Sequence, residues 1–158
     1  MSFLDLEINQ KNYIKILCAC IILVIIIVEI SFASLLFPKE FVLENTTSIE
    51  PNEKLKVHID ILEPQGSKIE IAGYAYLEDE SIRTVNSSYV LKNLDTGKMY
   101  LLKTRWEKNI NVPEVYPVAG MHSRFITLGI ENGKYEICVL YRNNENDIFK
   151  GTGINIDI

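Results

Sequence analysis

The sequence predicts an all-β domain of about seven antiparallel strands in two packed sheets, carried behind one membrane-length helix. Three observations predict it. The run Ile16 to Phe37 holds 22 residues, of which only Glu29, Ser31 and Ser34 are polar. From Leu55 onward apolar residues recur at every second position, the period of a half-buried strand. Turn-forming Gly, Asn and Asp punctuate that pattern, and no segment after residue 37 repeats with a helical period.

The apolar run comes first. As a helix, 22 residues span about 33 Å, matching a hydrocarbon core of roughly 30 Å. A core helix of a soluble protein would carry polar residues on each turn. A cleaved signal peptide is the rival reading, because Ile16 to Val28 has the length of a signal core and Ser31-Phe32-Ala33 offers small residues for cleavage. The apolar character resumes at Leu35-Leu36-Phe37, which favours a retained helix. The α-amine, Lys11 and Lys15 precede the run, and Lys39 follows it. The positive-inside bias therefore predicts a short cytoplasmic N-terminus, residues 1–15, a transmembrane helix at 16–37 and an exported remainder. Glu29 lies inside the run, on the order of 11 Å from its end at Phe37. An intramembrane carboxylate is either tolerated at a few kcal/mol or matched by a polar group on a neighbouring helix.

Residues 38–54, "PKEFVLENTTSIEPNEK", hold two prolines and read as a linker with at most a short strand at Phe41 to Leu43. The domain then occupies 55–158. Leu55, Val57, Ile59 and Ile61 alternate with polar residues. Ile69, Ile71, Gly73, Ala75 and Leu77 form the next apolar face, with Tyr74 and Tyr76 on the other. Further strands are expected at Ser88 to Asn93, Met99 to Arg105, Met121 to Leu128, Tyr135 to Arg142 and within Ile148 to Ile158. "LDTGK" makes a hairpin turn in which Gly97 takes positive φ.

One motif sharpens the fold. "LGIENGKYEICVLY" places Gly133 in a tight turn and Tyr135 at the head of an alternating strand. This resembles the tyrosine corner of immunoglobulin-like and fibronectin-like domains, whose hydroxyl bonds back to upstream backbone. The stretches "IEIAGYAYL", "YVLKNLDTGKMYLLKT" and "GKYEICVLY" resemble Ig-like domains of single-pass, membrane-anchored bacterial proteins, over about two-thirds of the chain. The resemblance implies an Ig-like antiparallel β-sandwich at the cell surface, with Tyr135 and Gly133 as structural residues, and carries no activity. The Cys…Trp…Cys spacing of antibody domains is missing.

The chemistry is sparse. The chain has 158 residues and a net charge of −5. Residues 1–37 take three acids and two bases, leaving 18 acids and 14 bases scattered over the rest. With no basic block, nucleic acid is not an expected partner. Cys18, Cys20 and Cys138 cannot build a disulfide framework. No G-x-S-x-G, HExxH, P-loop or CxxC is present. A sortase-like enzyme would need Cys138 with His122 or His58 and Arg142 or Arg124, and the Thr-Leu-x-Thr-Cys motif is missing. The acids of "LEDES", Glu78 to Glu80, suit calcium by type, although adjacent residues rarely converge on one ion. Asn45-Thr46-Thr47 and Asn86-Ser87-Ser88 match the N-glycosylation sequon. Neither a cofactor nor a metal is expected.

Aromatics give the binding hint. Tyr74 and Tyr76 share a strand face, and Trp106 follows the fourth expected strand. Interfaces enrich for such rings, and sugars stack on them. The expected function is a non-catalytic accessory or scaffold module that binds a protein partner outside the membrane, with Glu29, Tyr74, Tyr76 and Trp106 as candidate contact residues. Its partners would be the bilayer and another membrane protein. A module binding cell-wall glycan is the alternative, and a sortase-like enzyme the third reading.

Overall fold

The first proline is Pro38 and the first glycine Gly66, so nothing before residue 38 interrupts a helix. In a computed structural model of the chain, α1 runs over Phe3–Ser34. The structure describes residues 3–34, 36–43, 53–78, 86–108, 111, 116, 118–142 and 147–158, with side chains in the helix described for 12–31 only. Two compact units result, Met1–Leu35 and Leu36–Ile158.

Helix α1 contains one window, Asn12–Ser31, long and apolar enough to cross a membrane, and its described side chains are all exposed. The helix does not reach Phe37 as expected. Pro38 biases its predecessor away from helical angles, and Leu36–Phe37 form a turn. Glu29 therefore sits five residues before the helix end, about 8 Å along the axis, rather than 11 Å inside it.

The second unit is built of nine strands among the described residues, not seven: β1 Lys39–Phe41, β2 Leu55–Gln65, β3 Lys68–Leu77, β4 Ser88–Asn93, β5 Met99–Leu101, β6 Thr104–Glu107, β7 Gly120–Ile126, β8 Lys134–Arg142 and β9 Asp147–Asp157. They form a four-stranded sheet, order β2-β3-β7-β6, and a five-stranded sheet, order β1-β5-β4-β8-β9. Every pairing is antiparallel. One core lies between the sheets. Leu55, Ile71, Ala75, Met121 and Phe125 come from the first, and Tyr89, Leu91, Tyr135, Ile137, Val139 and Tyr141 from the second. Lys150 of β9 closes one flank, its Nζ donating to the Leu55 carbonyl of β2 at 2.6 Å.

Both extra strands have a physical cause. The single strand expected at Met99 to Arg105 breaks at Leu102 and Lys103 and changes sheets. Leu102 N donates to the Tyr89 carbonyl at 2.9 Å, while Ser123 Oγ donates to the Lys103 carbonyl at 3.0 Å. Each sheet thus captures one half through backbone it would otherwise leave unpaired. The other addition, β1, lies in the expected linker. Ile126 N donates to the Leu36 carbonyl at 3.0 Å, and β1 then pairs with β5. Residues 36–43 therefore belong to the second unit.

A bulge between Ile59 and Ile61 shifts the register of β2 against β3. Past it, a one-residue shift turns each side chain over. Ile61, expected inward, is 40 % exposed, and Leu62 packs on the core instead.

The corner at the head of β8 closes as a hydrogen bond. Tyr135 is fully buried, its hydroxyl donates to the Glu131 carbonyl at 2.8 Å, and Tyr100 meets its ring edge-on. Gly133, expected in a tight turn, is not among the glycines with positive φ. That conformation falls to Gly129 (φ 90°), while Gly97 adopts φ 73° in the LDTGK turn. What Gly133 supplies is space: a Cβ there would stand 3.0 Å from Asn93 Nδ2. Asn93 cannot easily yield, because its Oδ1 accepts from the backbone of Asp95 (2.9 Å) and Thr96 (2.8 Å), an Asx turn that shapes the hairpin.

Candidate functional site

The aromatic side chains gather on the outer face of the four-stranded sheet. Tyr74 and Tyr76 project from β3 away from the core, and register places His58 of β2 opposite Tyr74. A row results. The centroids of His58 and Tyr74 are 5.5 Å apart, those of Tyr74 and Tyr76 6.0 Å, and those of Tyr76 and Tyr116 4.4 Å. The last two pairs are stacked. Tyr116 comes from the connection between β6 and β7, is buried, and packs with Ala119 on Tyr74 and Tyr76. The same connection is held by Ala75 N donating to the Ala119 carbonyl at 3.0 Å and by Asn111 Nδ2 donating to Asp60 at 3.3 Å. Burial pushes the Tyr76 phenol above its ordinary value, with a smaller contribution from Tyr74.

Stacking has a consequence for ligands. A ring face that lies on another ring is closed to a sugar, and the edges and hydroxyls are what it presents. His58, at the open end of the row with 60 % of its side chain exposed, is the most accessible ring. The sequence marks Tyr116 as an aromatic of the prolyl loop after Trp106, but that loop offers no periodicity that would place its ring on this row.

Trp106 does not join this face. Register sets it opposite Met121, and Met121 opposite Gly73, all on the inner side of the sheet. It caps the sandwich flank, with Nε1 donating to the Ser87 carbonyl at 2.8 Å. Tyr74, Tyr76 and Trp106 are thus not brought together.

The other end of the same face carries a charged group. Glu70 lies opposite Arg124 in the β3–β7 register. Its Oε1 is 2.8 Å from His122 Nε2, and its Oε2 accepts from Arg124 Nε at 2.9 Å. The Arg124 bond, followed by the His122 bond, holds the Glu70 carboxyl below its ordinary value. A cleft of about 330 Å³ lies beside it, lined among others by Leu36, Glu63, Lys68 and Phe125. Period-two alternation placed these side chains outward, but strand pairing was needed to bring them together.

The residues of a sortase-like centre are dispersed. Cys138 lies on the outer side of the five-stranded sheet, fully buried with Val90, Leu140 and Phe149. Burial pushes its thiol up to about 12, the reverse of what a nucleophile needs. His58, His122 and Arg124 stand on the opposite outer face, and Arg142 Nε donates to Asp147 at 3.1 Å. Of LEDES, Asp79 to Ser81 lie outside the described residues, and Glu78 pairs with Lys56 at 3.4 Å. No group of three or more potential metal ligands occurs among the described residues. The sequon at Asn45 also lies outside them, while Asn86 is exposed.

Glu29 stands in α1, exposed within the apolar window. Two residues on, Ser31 Oγ donates back to the Ile27 carbonyl at 2.7 Å, the usual way a helix absorbs a hydroxyl. Comparison of the chain with protein-family models, curated proteins and solved structures finds no match.

Proposed function

We propose that the chain is a single-pass membrane protein whose second unit, an Ig-like β-sandwich outside the cytoplasm, serves as a non-catalytic module that binds a protein partner. The Ig-like reading draws on strand order. A sheet β2-β3-β7-β6 facing β5-β4-β8-β9 follows the ABED and C′CFG pattern of such domains, with Tyr135 at the corner before the sixth of the seven common strands. The membrane reading draws on the Asn12–Ser31 window, and the orientation on Lys11 and Lys15, which precede the apolar run at Ile16.

The observation that carries the choice of partner is the closure of the tyrosine row. Rings stacked on one another offer edges and hydroxyls to a protein surface and little open face to a sugar. The glycan-binding alternative also loses Trp106 from the shared face. Burial of Cys138 disfavours the sortase-like reading. The test uses the double variant His58→Glu, Tyr74→Ser, which alters the outward row and spares the inter-sheet core. Purified in mild detergent, the wild-type chain should retain a stoichiometric protein that the variant loses. Binding of residues 36–158 to a glycan array, abolished by the same variant, would replace protein with glycan.

A further inference from the structure

The apolar run of the anchor outlasts its helix. α1 ends at Ser34, whereas the run continues to Phe37, and Leu36 and Phe37 belong to the second unit. Leu36 is held there, its carbonyl accepting from Ile126 N at 3.0 Å at the end of β7. Two residues of chain span at most about 7 Å, so wherever α1 leaves the hydrocarbon, this end of the sandwich lies within that reach. Register puts Lys68 of β3 opposite Ile126, and Thr127 N donates to the Ser67 carbonyl at 2.8 Å, so the β2–β3 turn shares the same end. Just past β7, Leu128 is 69 % exposed, and Phe37 is 37 % exposed. Lys68 is exposed too, and no ion pair holds it among the described residues. One exposed leucine is ordinary. Apolar side chains beside a cation, tied by two residues to a membrane helix, are what the boundary between headgroups and acyl chains accepts.

We propose that Leu36, Phe37, Lys68 and Leu128 form a lipid-contacting end of the sandwich, seated on the bilayer that α1 crosses, with Phe37 and Leu128 at the acyl boundary and Lys68 at the lipid phosphates. This rests on the membrane-anchored reading above. Covalent reach selects the occupant: the anchor brings lipid to this end, and a protein or a second copy would have to displace it. The contact also sets the presentation of the tyrosine row. The β3–β7 register runs from Lys68 opposite Ile126 to Tyr74 opposite Gly120, six residues away. That is about 20 Å of strand, which carries the row clear of the headgroups.

The test uses the full chain in vesicles of phosphatidylcholine and phosphatidylglycerol, with or without bromine high on the acyl chains, a short-range quencher of indole. Trp106→Phe removes the one native tryptophan, and Leu128→Trp or Val118→Trp then adds one beyond either end of β7. Val118 is 49 % exposed and serves as the matched control. Leu128→Trp should lose about half of its emission in brominated vesicles and Val118→Trp almost none. Leu128→Cys and Val118→Cys keep Trp106 and its bond to Ser87, and give a second reading. Above the wild-type background, Leu128→Cys should react with an impermeant maleimide about tenfold more slowly than Val118→Cys. Carbonate washing of the same vesicles separates the two levels of the claim. Release of the chain overturns the anchor and the lipid contact together. Retention with both tryptophans quenched alike, with neither quenched, or with equal maleimide rates overturns the lipid contact alone.

Discussion

The two outer faces of the sandwich are built on opposite plans. On the five-stranded sheet, Val90, Cys138, Leu140 and Phe149 are buried although they point away from the core, and Phe41, Leu43, Met99 and Leu101 pack around them. On the four-stranded sheet the outward positions hold the half-buried tyrosine row and the Glu70–His122–Arg124 group. The first face is an inner surface in all but position, sealed in part by the segment that follows the helix. The second is the face proposed above for a partner. The difference teaches that residues 36–43 do more than connect: they complete a second, smaller core.

Mutations should reproduce this asymmetry. Leu140→Ala removes a fully buried side chain and should lower the stability of residues 36–158 by about 3 kcal/mol. Tyr74→Ala, on the half-buried row, should cost about 1 kcal/mol. Urea midpoints that moved equally would erase the distinction between the faces.

Removing the seal is the next largest test. A fragment starting at residue 45 lacks β1, Phe41 and Leu43. It should be less stable than one starting at residue 36 by about 2 kcal/mol, with Cys138 reacting faster with a thiol reagent. Equal stability and equal Cys138 reactivity would return residues 36–43 to the status of a tether.

The contrast between the faces was partly legible. The strand at Tyr135 is expected to alternate, yet its unbroken apolar run "ICVLY", like "YVL" in β4, is what burial on both sides requires, whereas β3 alternates strictly. Strand existence followed from period two and from the turn residues around Gly97. The tyrosine corner followed from Tyr135 after a tight turn. What stayed hidden depended on partners distant in sequence. The break at Leu102 carries no Gly or Pro and arises because two sheets compete for one segment. The bulge that turns Ile61 outward leaves the local pattern intact. Tyr116 reaches the tyrosine row through tertiary packing, and Trp106 misses it through a register that no local pattern encodes.

Smaller effects sharpen the corner and the charged end. Tyr135→Phe deletes the hydroxyl that serves the Glu131 carbonyl and should cost about 1 kcal/mol. Gly133→Ala should shift the midpoint by pushing on Asn93, without the penalty of a positive-φ site. Glu70→Gln should show its deficit at neutral pH. A carboxyl whose folded value lies below the ordinary 4.5 stabilises the fold above that value, and the contribution fades as pH falls through the folded value. The gap between wild type and variant should therefore close in acid, and a gap that widened there would contradict the role of Arg124 and His122.

The claim that one helix anchors a sandwich presented outside the cytoplasm is tested most directly by protease added to intact spheroplasts. The account predicts that the Leu36–Ile158 unit is digested from outside, leaving a membrane-embedded N-terminal fragment that carbonate does not release. A unit protected until the spheroplasts are lysed, or a chain recovered in soluble form without its first helix, would contradict it.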